Sequence, residues 1–211
     1  MKKKFGDTIP DSELAKLITT HLALVQAADA GDVGRSLGRL AYSVRNLLRV
    51  GQRFVRHQGG ALSDDALMRR EIEEIYRGGL FEPDEVKTVD DILQLSAPYD
   101  GSDFYEHLEF TETADTFTLG DVTLRKVNTG HAEIPNDKAK QILTKRTKKA
   151  LYQLMKAIEN GENPALLGER ASGKTSLVKF LAHLAGQPYY RQMLGEGTDA
   201  MDLIGGYDDQ G

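Results

Sequence analysis

The chain contains no cysteine. That excludes disulfides, a thiolate nucleophile and thiolate-bound zinc, and it fits a reducing compartment. No apolar run approaches the roughly 20 residues that cross a bilayer. The start, Met1-Lys2-Lys3-Lys4-Phe5, resembles the basic end of a secretory leader, but Gly6-Asp7-Thr8 follows where an apolar stretch should be. A cytoplasmic location without a membrane partner is the expectation. His21, His57 and His107 stand apart from one another, without metal-ligand spacing, and are read as core or surface residues. What is present is the balance of one or two ordinary domains: 211 residues, 40% hydrophobic and 28% charged, with net charge −5.

Three stretches differ in pattern. Residues 1–107 read as a helical, partner-binding domain. Asp11 or Ser12 can cap a helix carrying Leu14, Leu17, Ile18, Leu22, Val25 and Ala28 at three- and four-residue spacing, with Gly31-Asp32 ending it and starting the next. From Val33 to about His57, a step of about 100° per residue gathers Val33, Leu37, Leu40, Val44, Leu47, Leu48, Phe54 and Val55 on one side. Arg35, Arg39, Arg45, Arg49, Arg53 and Arg56 fall on the other. That stripe could grip nucleic-acid phosphates. The acidic overall charge and the lack of interleaved aromatics favour pairing with carboxylates of the same stretch, among them Asp64, Asp65, Glu71, Glu73, Glu74, Glu82, Asp84, Glu85, Asp90 and Asp91. These acids accompany two further helical patterns, Asp64–Arg77 and Val89–Leu95, and a helical bundle is expected.

Residues 108–130 change period. Phe117-Thr118-Leu119 and Val122-Thr123-Leu124 alternate on either side of Gly120-Asp121, the pattern of a hairpin connector. Residues 131–211 then read as an incomplete nucleotide-binding domain. Pro135-Asn136-Asp137 opens a long helix to Glu159, with Ile142, Leu143, Ala150, Leu151, Leu154, Met155 and Ile158 as its apolar positions. Lys138, Lys140, Lys145, Arg146, Lys148 and Lys149 give it a basic first half, read as a solvated face in preference to a nucleic-acid site.

Gly168-Glu169-Arg170-Ala171-Ser172-Gly173-Lys174-Thr175 matches G-x-x-x-x-G-K-[ST], the Walker A phosphate-cradling loop. Its glycines permit backbone turns that aim N–H groups at phosphate oxygens. Lys174 would reach the β- and γ-phosphates of ATP, Thr175 would offer its hydroxyl to Mg²⁺, and Ser176 completes the candidate binding set. The flanks suit the motif. Pro164-Ala165-Leu166-Leu167 reads as a buried strand, and Ser176 to Ala185 as a helix stopped by Gly186 and Pro188. The N-terminus of that helix would add its own attraction for an anion.

Together with a short strand at Pro188–Leu194 and the run Thr198-Asp199-Ala200-Met201-Asp202-Leu203-Ile204-Gly205-Gly206-Tyr207, this region resembles the AAA+ ATPases of the midasin and dynein-related branch, to which MoxR-like proteins are close. Glu169-Arg170 departs from the Gly-Pro entry usual in that family. The resemblance implies an α/β fold in which the helical N-terminal domain precedes the start of a P-loop AAA+ parallel sheet, cut off after its second strand. It implies a hydrolase that couples ATP hydrolysis to remodelling of a protein partner, as a homo-oligomeric ring, with a metal-dependent adhesion-type domain as the partner expected by analogy.

No Walker B strand, sensor or arginine finger follows Thr175, so the expectation is an N-terminal portion that is inactive alone and has no catalytic residue of its own. Two other classes stay open. One is a different P-loop NTPase, a GTP-dependent motor or a kinase. The other is a non-enzymatic helical adaptor with a degenerate nucleotide site.

Overall fold

A computed structural model describes residues 8–34, 42–60, 62–78, 80, 82–93, 105, 107–127, 129–136 and 142–199. Four helices come first: α1 (Asp11–Ala30), α2 (Val44–His57), α3 (Asp64–Tyr76) and α4 (Pro83–Ile92). Asp11 and Glu13 occupy the first turn of α1, where the helix end is positive, and Gly31 closes it through N–H bonds to Ala27 and Ala28 carbonyls. α2 starts at Val44, later than its apolar pattern suggests. The Ser43 N–H donates to Asn46 Oδ1 at 3.0 Å, so the chain turns into helix there. Ser63 Oγ accepts from the Ala66 N–H at 3.3 Å and sets the start of α3. α4 spans 83–92 where the apolar spacing suggests 89–95, because Pro83, which has no N–H to leave unpaired, opens it. Leu17, Leu24, Val50, Phe54, Leu67, Met68 and Val89 form the core of these helices.

A second core lies under β1 (Phe110–Glu112), β2 (Thr116–Leu119) and β3 (Val122–Arg125), packed by α5 (Lys145–Glu159) and α6 (Lys174–Ala185). β2 turns into β3 across Gly120-Asp121, with Leu119 opposite Val122 and Phe117 opposite Leu124. The two-residue alternation buries Phe117 and Leu119, while Thr118 and Thr123 bond to each other at 2.9 Å on the other face. α5 is shorter than the helix expected from 135. Thr144 Oγ1 accepts the Thr147 N–H at 3.3 Å and caps it at Lys145, and residues 142–144 are not helical. Its other end closes when the Gly161 N–H meets the Ile158 carbonyl and the Glu162 N–H meets that of Ala157, at 2.9 and 2.8 Å.

This architecture overturns the expected fold class. The sheet of the described residues has three strands, all antiparallel, drawn from 110–125 and joined by tight turns that only antiparallel neighbours allow. The segments expected as buried parallel strands, 164–167 and 188–194, form no ladder among the described residues, and Leu167, Tyr190, Met193 and Leu194 are exposed. An AAA+ parallel sheet is therefore not what this region builds, and the resemblance to that family is withdrawn. Ala200 to Tyr207, which carried part of it, lie outside the described residues.

Candidate functional site

Two concentrations of charge stand out, and they differ in kind. The first is the turn from Gly168 to Thr175, which leads into α6. Gly168 sits at φ 149° and Gly173 at φ 87°, a region in which a side chain is strained. A Cβ on Gly168 would also come within 3.3 Å of Ser172 Oγ. Ala171, at φ 61°, takes the same left-handed region at a cost. These turns curl the chain around the Lys174 ammonium, which donates to the Gly168 carbonyl at 2.8 Å, to the Glu169 carbonyl at 2.5 Å and to Ser172 Oγ at 3.1 Å. All three acceptors are uncharged, and among the described residues no carboxylate pairs with Lys174. Gly173, the residue before the helix, supplies no side-chain cap. The first N–H of this helix end with a backbone acceptor among the described residues is that of Leu177, bonded to the Gly173 carbonyl. The donors before it face solvent beside a cation, since Gly173, Thr175 and Ser176 are exposed and Lys174 is only half-buried.

The second concentration joins the two cores. Lys156 of α5 is fully buried and donates to Glu71 Oε1 at 2.5 Å and Glu74 Oε2 at 3.1 Å, both on α3. Arg53 of α2 forks onto Glu162, at 3.0 and 2.7 Å, and reaches Glu74 at 3.3 Å. Arg70 donates to Asp121 in the hairpin turn at 3.0 Å and to Glu71 at 3.3 Å. Tyr152 donates to Asp121 and Tyr105 to Glu74, both at 2.8 Å. His57 lies 3.3 Å from Glu159 and 3.9 Å from Asp121.

Burial alone would raise the Glu74 carboxyl, but Lys156, Arg53 and Arg70 with the Tyr105 hydroxyl outweigh it and hold it low. Asp121 is likewise lowered: burial pushes it up, and Arg70 with the Tyr152 hydroxyl pulls it further down. Burial first, and the Glu74 charge next, raise the Tyr152 hydroxyl, which stays protonated. Beside Arg70, Glu74, Tyr105 and Lys149 the seam opens onto a cavity of about 60 Å³. That is far below the roughly 300 Å³ of a small-ligand pocket. Its cations and carboxylates pair with one another and so join α2, α3, the hairpin turn and α5.

The structure thus gathers Gly168, Glu169, Arg170, Ala171, Ser172, Gly173, Lys174, Thr175 and Ser176 into one exposed turn and helix start. Of the arginine stripe, Arg53 pairs with carboxylates, Arg56 donates to the Glu159 carbonyl, Arg45 is exposed and Arg49 half-buried. Arg35 and Arg39 lie outside the described residues. Reasoning from sequence missed Lys156, Tyr152, Asp121 and Glu162. The i, i+4 spacing of Tyr152 and Lys156, beside the apolar row Leu151, Leu154, Met155, was the available signal.

No family model matches the chain. No solved structure matches it either. With the antiparallel sheet, this removes what the resemblance implied. ATP as cofactor and partner, ATP hydrolysis, the protein-remodelling ring and the adhesion-type partner have no support in the fold. The alternatives of another P-loop NTPase or a degenerate nucleotide-site adaptor fall with them. Mg²⁺ at Thr175 is withdrawn as well, because among the described residues no group of three His, Asp or Glu side chains could hold a metal ion. The match at 168–175 is a local turn on a different fold. No helix of the described residues is long and apolar enough to cross a membrane.

Proposed function

We propose that the turn Gly168–Thr175, with the first residues of α6, binds a phosphoryl-type anion. The observation that carries this reading is the environment of Lys174. Among the described residues its ammonium is bonded only to neutral groups of its own turn, at a helix end without a side-chain cap, and it is half-exposed. A cation and unpaired N–H donors facing water favour an anion there, and the helix end adds roughly half a positive charge. A phosphoryl group presents several acceptor oxygens to such a fork of donors. Binding is the function assigned; no reaction is.

Inorganic pyrophosphate tests it by isothermal titration of the full chain, with Lys174→Ala as comparison. Removing a hydrogen bond to a charged group costs about 1.5–3 kcal/mol, so affinity should fall about tenfold or more. Equal affinity of the two proteins would sink the reading.

A further inference from the structure

The seam and the turn are connected through one residue. Glu162 is fixed at both ends: its N–H is tied to the Ala157 carbonyl at the close of α5, and its carboxylate takes the two-pronged grip of Arg53. Six residues later the chain enters the turn at Gly168. Between them, among the described residues, no backbone N–H from 163 to 171 donates to another backbone group, and only Leu166 packs partly on the second core. The approach to the turn is therefore held at its origin by Glu162 and at its end by the Lys174 bonds. Arg53 lies on α2, and the same guanidinium reaches Glu74 on α3.

We infer that the Arg53–Glu162 pair is a positioning clamp that couples the anion-binding turn to the helical core, so that α2 responds to occupancy of the turn. The inference rests on the anion reading for its ligand arm. Coupling of this kind is reciprocal: whatever shifts the turn on binding shifts the Arg53 side, and loosening Arg53 weakens binding. Glu162→Gln keeps the shape and removes the charge at a site on the rim of the seam, leaving Arg53 its bonds to α3.

Pyrophosphate is titrated into the full chain while the backbone amides and the Arg53 Nε–H, which donates to Glu162, are followed by NMR. In the unaltered protein, the amides of 171–176 and the Arg53 Nε–H move together. In Glu162→Gln, affinity falls about fivefold or more and residues 50–57 no longer respond. Affinity and response unchanged by Glu162→Gln overturn the clamp. A merely structural role of Glu162 would lower the melting temperature without moving the affinity.

Should pyrophosphate leave the 171–176 amides of the unaltered protein untouched, the anion reading fails. The clamp is then decided without ligand by trypsin cleavage after the exposed Arg170. Faster cutting in Glu162→Gln supports it, and an equal rate overturns it.

Discussion

The buried seam and the exposed turn both concentrate charge, yet they solve opposite problems. At the seam, Lys156, Arg53 and Arg70 have left water and must find carboxylates, and Glu71, Glu74, Asp121 and Glu162 meet them. At the turn, Lys174 keeps contact with water and rests on carbonyls that neutralise nothing. The difference teaches where each set of residues acts. Paired buried charges can be removed only at a cost to folding, whereas a half-screened cation at a helix end matters when an anion arrives. The seam also bridges two apolar cores that form separate clusters among the described residues, so it is an element through which one could influence the other.

The sharpest way to break the comparison is to delete one cation from each side. Lys156→Ala leaves Glu71 and Glu74 short of a partner in the interior and should lower unfolding free energy by about 3–5 kcal/mol, read from urea or thermal melts. A loss below about 1 kcal/mol would show that the seam is not the joint described here. Acid probes the same seam from the other partner. Glu74 and Asp121 hold protons less tightly when folded than when unfolded, so they favour the fold above the unfolded carboxylate range near about 4. That contribution disappears as pH falls through their lower folded values. Melting temperature should therefore drop steeply below about pH 4, with a shallower drop in Glu74→Gln.

A smaller effect is expected where neither region is touched. Ser63→Ala removes the acceptor of the Ala66 N–H and should cost about 1 kcal/mol in a melt, confined to α3. The smallest belongs to the turn: Lys174→Ala should change stability by no more than about 0.5 kcal/mol. A much larger loss would make Lys174 a structural strut and move it into the same class as Lys156.

How much of this was legible varied by the kind of force involved. The apolar spacing of Leu14, Leu17 and Leu24 and the alternation around Gly120-Asp121 mark α1 and the hairpin, because burial periodicity is written residue by residue. Helix starts were less so. Ser43 and Thr144 place α2 and α5 later than the apolar pattern alone suggests, since a cap acts through a single hydrogen bond. Leu166 and Leu167 misled. Four apolar residues before a glycine look like a buried strand, but strandhood needs a neighbour, and none of the described residues supplies one. The pairing of Arg53 with acids was readable in outline, while its choice of Glu162, 109 positions away, depended on the close of α5.

The measurement that tests the account most directly is a pyrophosphate titration of the full chain and of Lys174→Ala, followed through the amides of Gly168–Ser176. Saturable shifts in that segment, lost in the variant while its melting curve stays in place, are predicted. Shifts elsewhere only, or equal shifts in both proteins, would contradict the assignment of the turn as the anion site.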